Sequence, residues 1–427
     1  MLRGRQACLV VVVAVVAAIL AACGRGGTSA AARSPVASIY LGAYPATMPA
    51  AIGLNPVTNR IYVADTNARE VTVIDGATKE TTARVGLGVR AGILQKVAVN
   101  PASNRIYVVE GSQFGGVGGP GPFVPVIRES GDVAVIDGTS NATAVVHVGG
   151  TVQAVAVDPS NGKAYVTSSS RTGTVIDGTS NATATVAVGQ VWGAPAVNPV
   201  TNKIYVGTDA GVVAIDGATN ATATVHAAAG ATLAVDPAAN RIYASGGGGL
   251  TVIDATTNGT IADIPLGHDG GGSLAVNAKT HKVYVLDVNY PNPGSVTVVD
   301  GTTLATTAVA VGRSPTEIVV DESANAAYVL DLDSSDVVRI DGANQATAFS
   351  LPGALPLIAV NPATGKLYVA AGGPKAGRVS ASTPTNLPPP PMVLDVLDFK
   401  GTTIPSVPVD TCQPSPQPGS GVARGTC

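Results

Sequence analysis

The 427-residue chain carries 25 Lys and Arg against 28 Asp and Glu, a formal net charge of −3, which leaves no basic footprint for nucleic acid. Only 12% of residues are charged while 45% are hydrophobic, the reverse of the balance that keeps a chain disordered. With 51 Gly, 30 Pro and few residues that favour long helices, the composition points to β structure with many tight turns.

Arg3 and Arg5 head an apolar run over residues 7–22 that no charge interrupts. A basic start, an apolar centre and a small-residue cleavage site make an export signal. The run is short for a membrane span, which takes about 20 residues. Its ending, Leu20-Ala21-Ala22-Cys23, resembles a bacterial lipobox. That resemblance implies cleavage before Cys23, which becomes the new N-terminus and carries lipid. Two or more acyl chains hold a protein stably at a bilayer. An ordinary cleaved signal or an uncleaved anchor are the other readings of this segment. Loss of residues 1–22 leaves 23 basic against 28 acidic residues, or −5. Gly24 stands where such lipoproteins often carry the Asp that marks inner-membrane retention, which points to an outer membrane in a cell that has one. Residues 23–35 form a Gly/Ser/Ala tether.

The body is one repeat written eight times. Its marker is Tyr62, Tyr107, Tyr165, Tyr205, Tyr243, Tyr284, Tyr328 and Tyr368, at spacings of 45, 58, 40, 38, 41, 44 and 40. Ahead of most of these stands an apolar strand and an Asx-Pro turn, as in Leu54-Asn55-Pro56 and Val157-Asp158-Pro159; Asn277-Ala278 and Asp321-Glu322 depart from it. After each Tyr a loop leads to a β-branched run that ends in Asp, as in Val73-Ile74-Asp75-Gly76. A Thr/Ala/Val stretch such as 182–188 closes the unit. Each repeat therefore reads as four strands. Asx-Pro presets the first turn, and Gly after Asp is expected to supply positive φ for the third. About 40 residues in four antiparallel strands is the length of one propeller blade. The expected fold is all-β: a single propeller of eight four-stranded blades, with seven as the alternative. The strand-like segment 36–42 is expected to close the last blade, beside strands drawn from 358–409. The recurrent Tyr is expected between blades, where each buries roughly 150–250 Å².

The repeat resembles the YVTN-family β-propeller repeat of exported and surface proteins. The literal tetrapeptide is absent, and Tyr165-Val166-Thr167-Ser168 comes closest. The resemblance spans nearly all of residues 36–409 and implies the fold. It implies no single reaction, because that fold hosts binding modules, lactonases and electron-transfer subunits alike. The expected organisation is a signal peptide at 1–22, the tether from lipidated Cys23 to residue 35, the propeller at 36–409 and a Pro/Gly-rich tail at 410–427. Cys412 and Cys427 in that tail are a candidate disulfide in an oxidising compartment, or two free thiols.

Propeller geometry sorts the loops. Turns joining strands one to two and three to four share one face, and they repeat monotonously, as structural turns do. The second face receives the strand two-to-three loops and the blade-to-blade connections. Both long insertions, 111–131 and 371–391, fall there; their Gly and Pro content equally fits loops without fixed structure. So do the polar residues that do not repeat: Arg90, Gln95, Lys96, Gln153, His268, Asp269, Arg313 and Glu317, with Trp192, the only Trp. Together on one rim they make a candidate ligand pocket with one aromatic wall. Asp65, Glu110, Asp287 and Asp331 end second strands on the same face. The run from Asp331 to Asp336 has a calcium-loop look but lacks the Gly and terminal Glu of that motif. Only four His are present, none at zinc spacing, and no haem, nucleophile-elbow or phosphate-loop motif appears, so neither metal nor cofactor is expected.

These features lead to an expected function: an exported scaffold, lipid-anchored and facing periplasm or cell surface, that binds a protein, polysaccharide or other envelope ligand and no nucleic acid. The reading leans away from an enzyme. The alternative is a lactonase-like hydrolase at the channel mouth, with Glu317 and His268 as acid and base and Arg313 stabilising an oxyanion.

Overall fold

A computed structural model of the chain describes residues 31–32, 37–43, 48–89, 93–111, 113–117, 124–128, 131–266, 272–287, 294–351, 354–372 and 391–399. The signal segment, Cys23, Arg90, His268, Asp269, Cys412 and Cys427 lie outside these.

Eight four-stranded antiparallel blades form the molecule. Blade 1 runs Pro49–Asn55, Arg60–Asp65, Glu70–Asp75 and Thr81–Gly86, and the later blades repeat this order. The first strand of every blade touches the first strands of the blades before and after it, and the circuit closes from blade 8 (Ala354–Asn361) back to blade 1. This is the expected ring, with eight blades and not seven. The closing strand is Ala37–Ala43, which pairs antiparallel with Pro391–Asp398 and completes blade 8. Ahead of it, Ala31–Ala32 adds a short fifth strand, parallel, to the outer edge of blade 7 at Phe349 and Ser350. No helix occurs among the described residues.

Tyr62, Tyr107, Tyr165, Tyr205, Tyr243, Tyr284, Tyr328 and Tyr368 are buried, and each joins an apolar cluster shared with the following blade. Tyr62, for example, packs with Ile106, Val108, Ala134 and Ile136 of blade 2. The blades are held by these seams, because one sheet alone has no second layer to bury its faces.

The face bearing the Asx turns is also latched by polar side chains. The residue ending each first strand, or following it, is Asn55, Asn100, Asp158, Asn198, Asp236, Asn277, Asp321 or Asn361, and all are buried. Asn55 shows the double role. Its Oδ1 accepts the N–H of Val57 and Thr58 in its own turn, and its Nδ2 donates to Asn104 Oδ1 of the next blade at 2.8 Å. Asn198 does the same to Asn240 (2.8 Å), Asn277 to Asn325 (3.1 Å) and Asn361 to Asn59 (2.9 Å). Each acceptor precedes the strand that carries the Tyr and sits at positive φ, between 47 and 54°. Asn tolerates that left-handed conformation and Gly accepts it freely. Where the acceptor position is Gly162, Asn100 Nδ2 finds no partner among the described residues.

A second latch runs beside the first. Arg60 Nη1 donates to Gly138 O at 2.7 Å, Lys163 Nζ to Gly217 O at 2.6 Å and Lys282 Nζ to Gly342 O at 2.7 Å, each from one blade to the third turn of the next. The Gly of that turn is not at positive φ. The left-handed position falls instead on Lys79, Asn141, Asn181, Asn220, Asn258, Leu304 and Asn344. Gly is required for room: a Cβ at Gly76, Gly138 or Gly217 would lie within 2.5 Å of the Oδ1 of Asn59, Asn104 or Asn202. The expectation that this Gly supplies positive φ is therefore corrected to one of close approach.

Candidate functional site

The opposite face is built unevenly. First strands are long in blades 7, 8, 1 and 2 (Pro315–Asp321, Ala354–Asn361, Pro49–Asn55, Ile93–Asn100) and short in blades 4, 5 and 6 (Ala196–Asn198, Thr232–Asp236, Leu274–Asn277). The channel mouth thus has a tall side and a low side. On the tall side an antiparallel hairpin, Gln113–Val117 with Val124–Arg128, belongs to the insertion in blade 2 and pairs with no other strand among the described residues. The matching insertion in blade 8 lies mostly outside the described residues.

Near the top of several first strands the ladder skips one residue: Ala50, Gln95, Gln153 and Thr316. A bulge re-aims the side chains around it. Gln95, Lys96, Gln153 and Glu317 therefore stand on strands at the channel mouth and not in blade-to-blade loops. The Gln95 amide lies against Gly111, which has no side chain to oppose it. Gln153 Oε1 is buried without a partner. Burial pushes the Glu317 carboxyl above its ordinary range, against the opposing pull of the Lys96 charge and of the Ile358 N–H, which donates to it. Glu317 of blade 7 is thereby in electrostatic range of Lys96 of blade 2, with Ile358 of blade 8 contributing the backbone donor.

Trp192 and Arg313 occupy the connections entering blades 4 and 7. Trp192 is 57% exposed on the low side, and its ring approaches Gly230 of the next connection. The backbone N–H of Trp192 donates to Gly207 O. Arg313 lines a cleft of about 340 Å³ at the seam of blades 6 and 7, with Asp333, Ser334 and Asp336. Of the candidate residues, Glu317 lies within the field of Lys96. The structure sets Arg313 in the outer seam, and Trp192 over blade 4.

Two of the acids that end second strands serve as caps. Asp65 accepts from Met48 N and Ala68 N, and Asp331 from Ser314 N and Ser334 N. The calcium-like run is thus a turn capped by its own first residue. Among the described residues no group of three His, Cys, Asp or Glu is placed to hold a metal.

No family model and no curated protein sequence matches the chain. Its fold matches BamB from Moraxella catarrhalis with a TM-score of 0.57 at 17% identity, over 85% of this chain and 99% of that one. It also matches Kuenenia stuttgartiensis hydrazine synthase with a TM-score of 0.50 at 13% identity, over 77% and 94%. Likeness at these identities identifies the β-propeller and carries no activity with it.

Proposed function

We propose that the protein is exported, lipid-anchored through Cys23, and works as a binding scaffold whose uneven face takes an envelope protein. The observation that carries this is the division of labour between the two faces. One face repeats the same inter-blade latches around the ring, while the other holds the bulges, the exposed Trp192 and the free-standing hairpin. A preorganised disc with one divergent face binds by surface complementarity, at little ordering cost. The repeat resemblance to the YVTN family supports the same reading. Its test is deletion of residues 112–130 from the full chain, followed by co-purification after cross-linking in cells. The partner is expected to be lost while the thermal midpoint stays within a few degrees, since the hairpin pairs with no other strand among the described residues. A partner retained in full by the deletion variant overturns the assignment of this face.

One observation favours a second reading, a lactonase-like hydrolase at the channel mouth: a partly buried carboxyl whose pKa burial raises is the kind of group that serves as general acid. Turnover of simple lactones, abolished in Glu317→Gln, would establish it; absence of turnover in the wild type removes it.

A further inference from the structure

The route of the N-terminal segment constrains how the disc sits. Ala31–Ala32 lies on the outer edge of blade 7, and Ala37–Ala43 forms the outer edge of blade 8. Seven residues separate Cys23 from Ala31. A peptide of eight steps reaches at most about 28 Å when fully stretched. A lipid on Cys23 would therefore keep the rim of blades 7 and 8 within that distance of the bilayer.

That reach would allow either the latched face or the rim to meet the lipid, and charge separates the two. On the latched face, backbone N–H groups hold the carboxyls of Asp75, Asp137, Asp177, Asp216, Asp254 and Asp300 below their ordinary range, so they are ionised at neutral pH. Arg60, Lys163, Lys203 and Lys282 stand among them, so this face carries dense charge of both signs, which is costly to take out of water. The rim is different. Neither Ala37–Ala43 nor Ala346–Ser350 contains Asp, Glu, Lys, Arg or His. From the closing strand Tyr40 projects, 61% exposed. Tyr favours the headgroup layer, where its ring is half buried and its hydroxyl stays wet.

We propose that the charge-free rim of blades 7 and 8, with Tyr40 at its contact point, rests on the lipid surface, so that the disc stands on edge and its uneven face opens sideways along the membrane. This rests on the lipid anchor proposed above. It adds a defined contact surface that an anchor on a free tether would not have.

The test uses full-length lipidated protein in phosphatidylethanolamine–phosphatidylglycerol vesicles that carry brominated acyl chains. Tryptophan emission is compared in wild type, where Trp192 reports on the uneven face, and in Tyr40→Trp combined with Trp192→Phe. Ile261→Trp in the same Trp192→Phe background reports on the outer strand of blade 5 (Thr260–Pro265). Quenching at position 40 is expected to exceed that at 192 and 261 by about threefold or more, as for a residue in the headgroup layer. Equal quenching at 40 and 261, with the protein still floating with the vesicles, overturns the edge-on contact and leaves the anchor standing. Failure to float, with no lipid mass on Cys23, overturns the anchor and this inference with it.

Discussion

His281 Nδ1 stands 2.7 Å from Asp236 Oδ2 across the seam between blades 5 and 6, where the seams at Asn55, Asn198, Asn277 and Asn361 each place an asparagine pair. The two side chains are matched across consecutive repeats. In blade 5, whose first strand ends in an acceptor-only carboxylate, the next blade supplies a ring nitrogen that can donate in place of an amide oxygen.

His281→Ala leaves the buried Asp236 carboxylate without that donor and is expected to cost about 1–3 kcal/mol in urea unfolding. Asp236→Asn combined with His281→Asn rebuilds the asparagine pair of the other seams and should recover most of the loss. A double variant no more stable than His281→Ala would show that the loss has another origin.

The eight tyrosines differ at their hydroxyls. Tyr205 Oη donates at 3.1 Å to Ala255 O and lies 3.0 Å from Asn258 Oδ1, whereas Tyr284 Oη is buried without a partner. Burial pushes both phenols up to about 12. Tyr205→Phe is therefore expected to cost about 1 kcal/mol, and Tyr284→Phe to be neutral or stabilising, when the two are compared by chemical denaturation.

Gly138→Ala tests the requirement for room. Its Cβ would lie 2.5 Å from Asn104 Oδ1 and 2.7 Å from Asn104 O, so the turn has to move. A loss of about 1–3 kcal/mol is expected, as for other overpacked sites. Gly86→Ala, which meets nothing within 4 Å, is the control.

Acid should weaken the ring through the third turns. The carboxyl of Asp177 is held below its ordinary 3.8 by the Ser180 N–H, the Ser180 hydroxyl and the Thr179 N–H. Asp75, Asp137, Asp216, Asp254 and Asp300 are lowered in the same way. A carboxyl lowered in the fold contributes stability that is present above 3.8 and lost as pH falls through its native value. Thermal midpoints should therefore be steady from neutral pH down to about 5 and then fall steeply below about 4. A midpoint that does not fall there would show that these turns contribute nothing.

Glu317 has the opposite sign. Burial raises its carboxyl in the fold, so the folded chain binds the proton more tightly than the unfolded one. The resulting penalty is absent below the ordinary 4.5, grows as pH rises through the native value and is complete above it. Glu317→Gln should raise the thermal midpoint at pH 7, and the gain should vanish in acid. An equal gain at both pH values would mean that charge is not its source.

The ring was legible because its information is local and repeated. Tyr, Asx-Pro and Asp recur at blade spacing, and the closing segment was placed at 36–42 against the observed Ala37–Ala43. The latches were legible in principle and were missed. Asn55 pairs with Asn104 and Asp236 with His281, a correspondence offset by one repeat that disappears when each repeat is read alone. The mouth was only partly legible. Chain order put Gln95, Gln153 and Glu317 on the right face, but the bulges that turn them leave no mark in composition. Nor does sequence distance show that Glu317 falls within range of Lys96.

Ser38 and Asp395, hydrogen-bonded across the closing pair, are 357 positions apart. A chain delivered amino end first must therefore hold its opening strand in waiting until almost all the rest has arrived. Until then the eighth blade lacks its outer edge, and Met392, Leu394 and Val396 lack the cover of Ile39 and Leu41. Loss of either Ala37–Ala43 or Pro391–Asp398 breaks the same pair and leaves an unzipped circle with one adhesive border, so the two segments are under a single shared constraint.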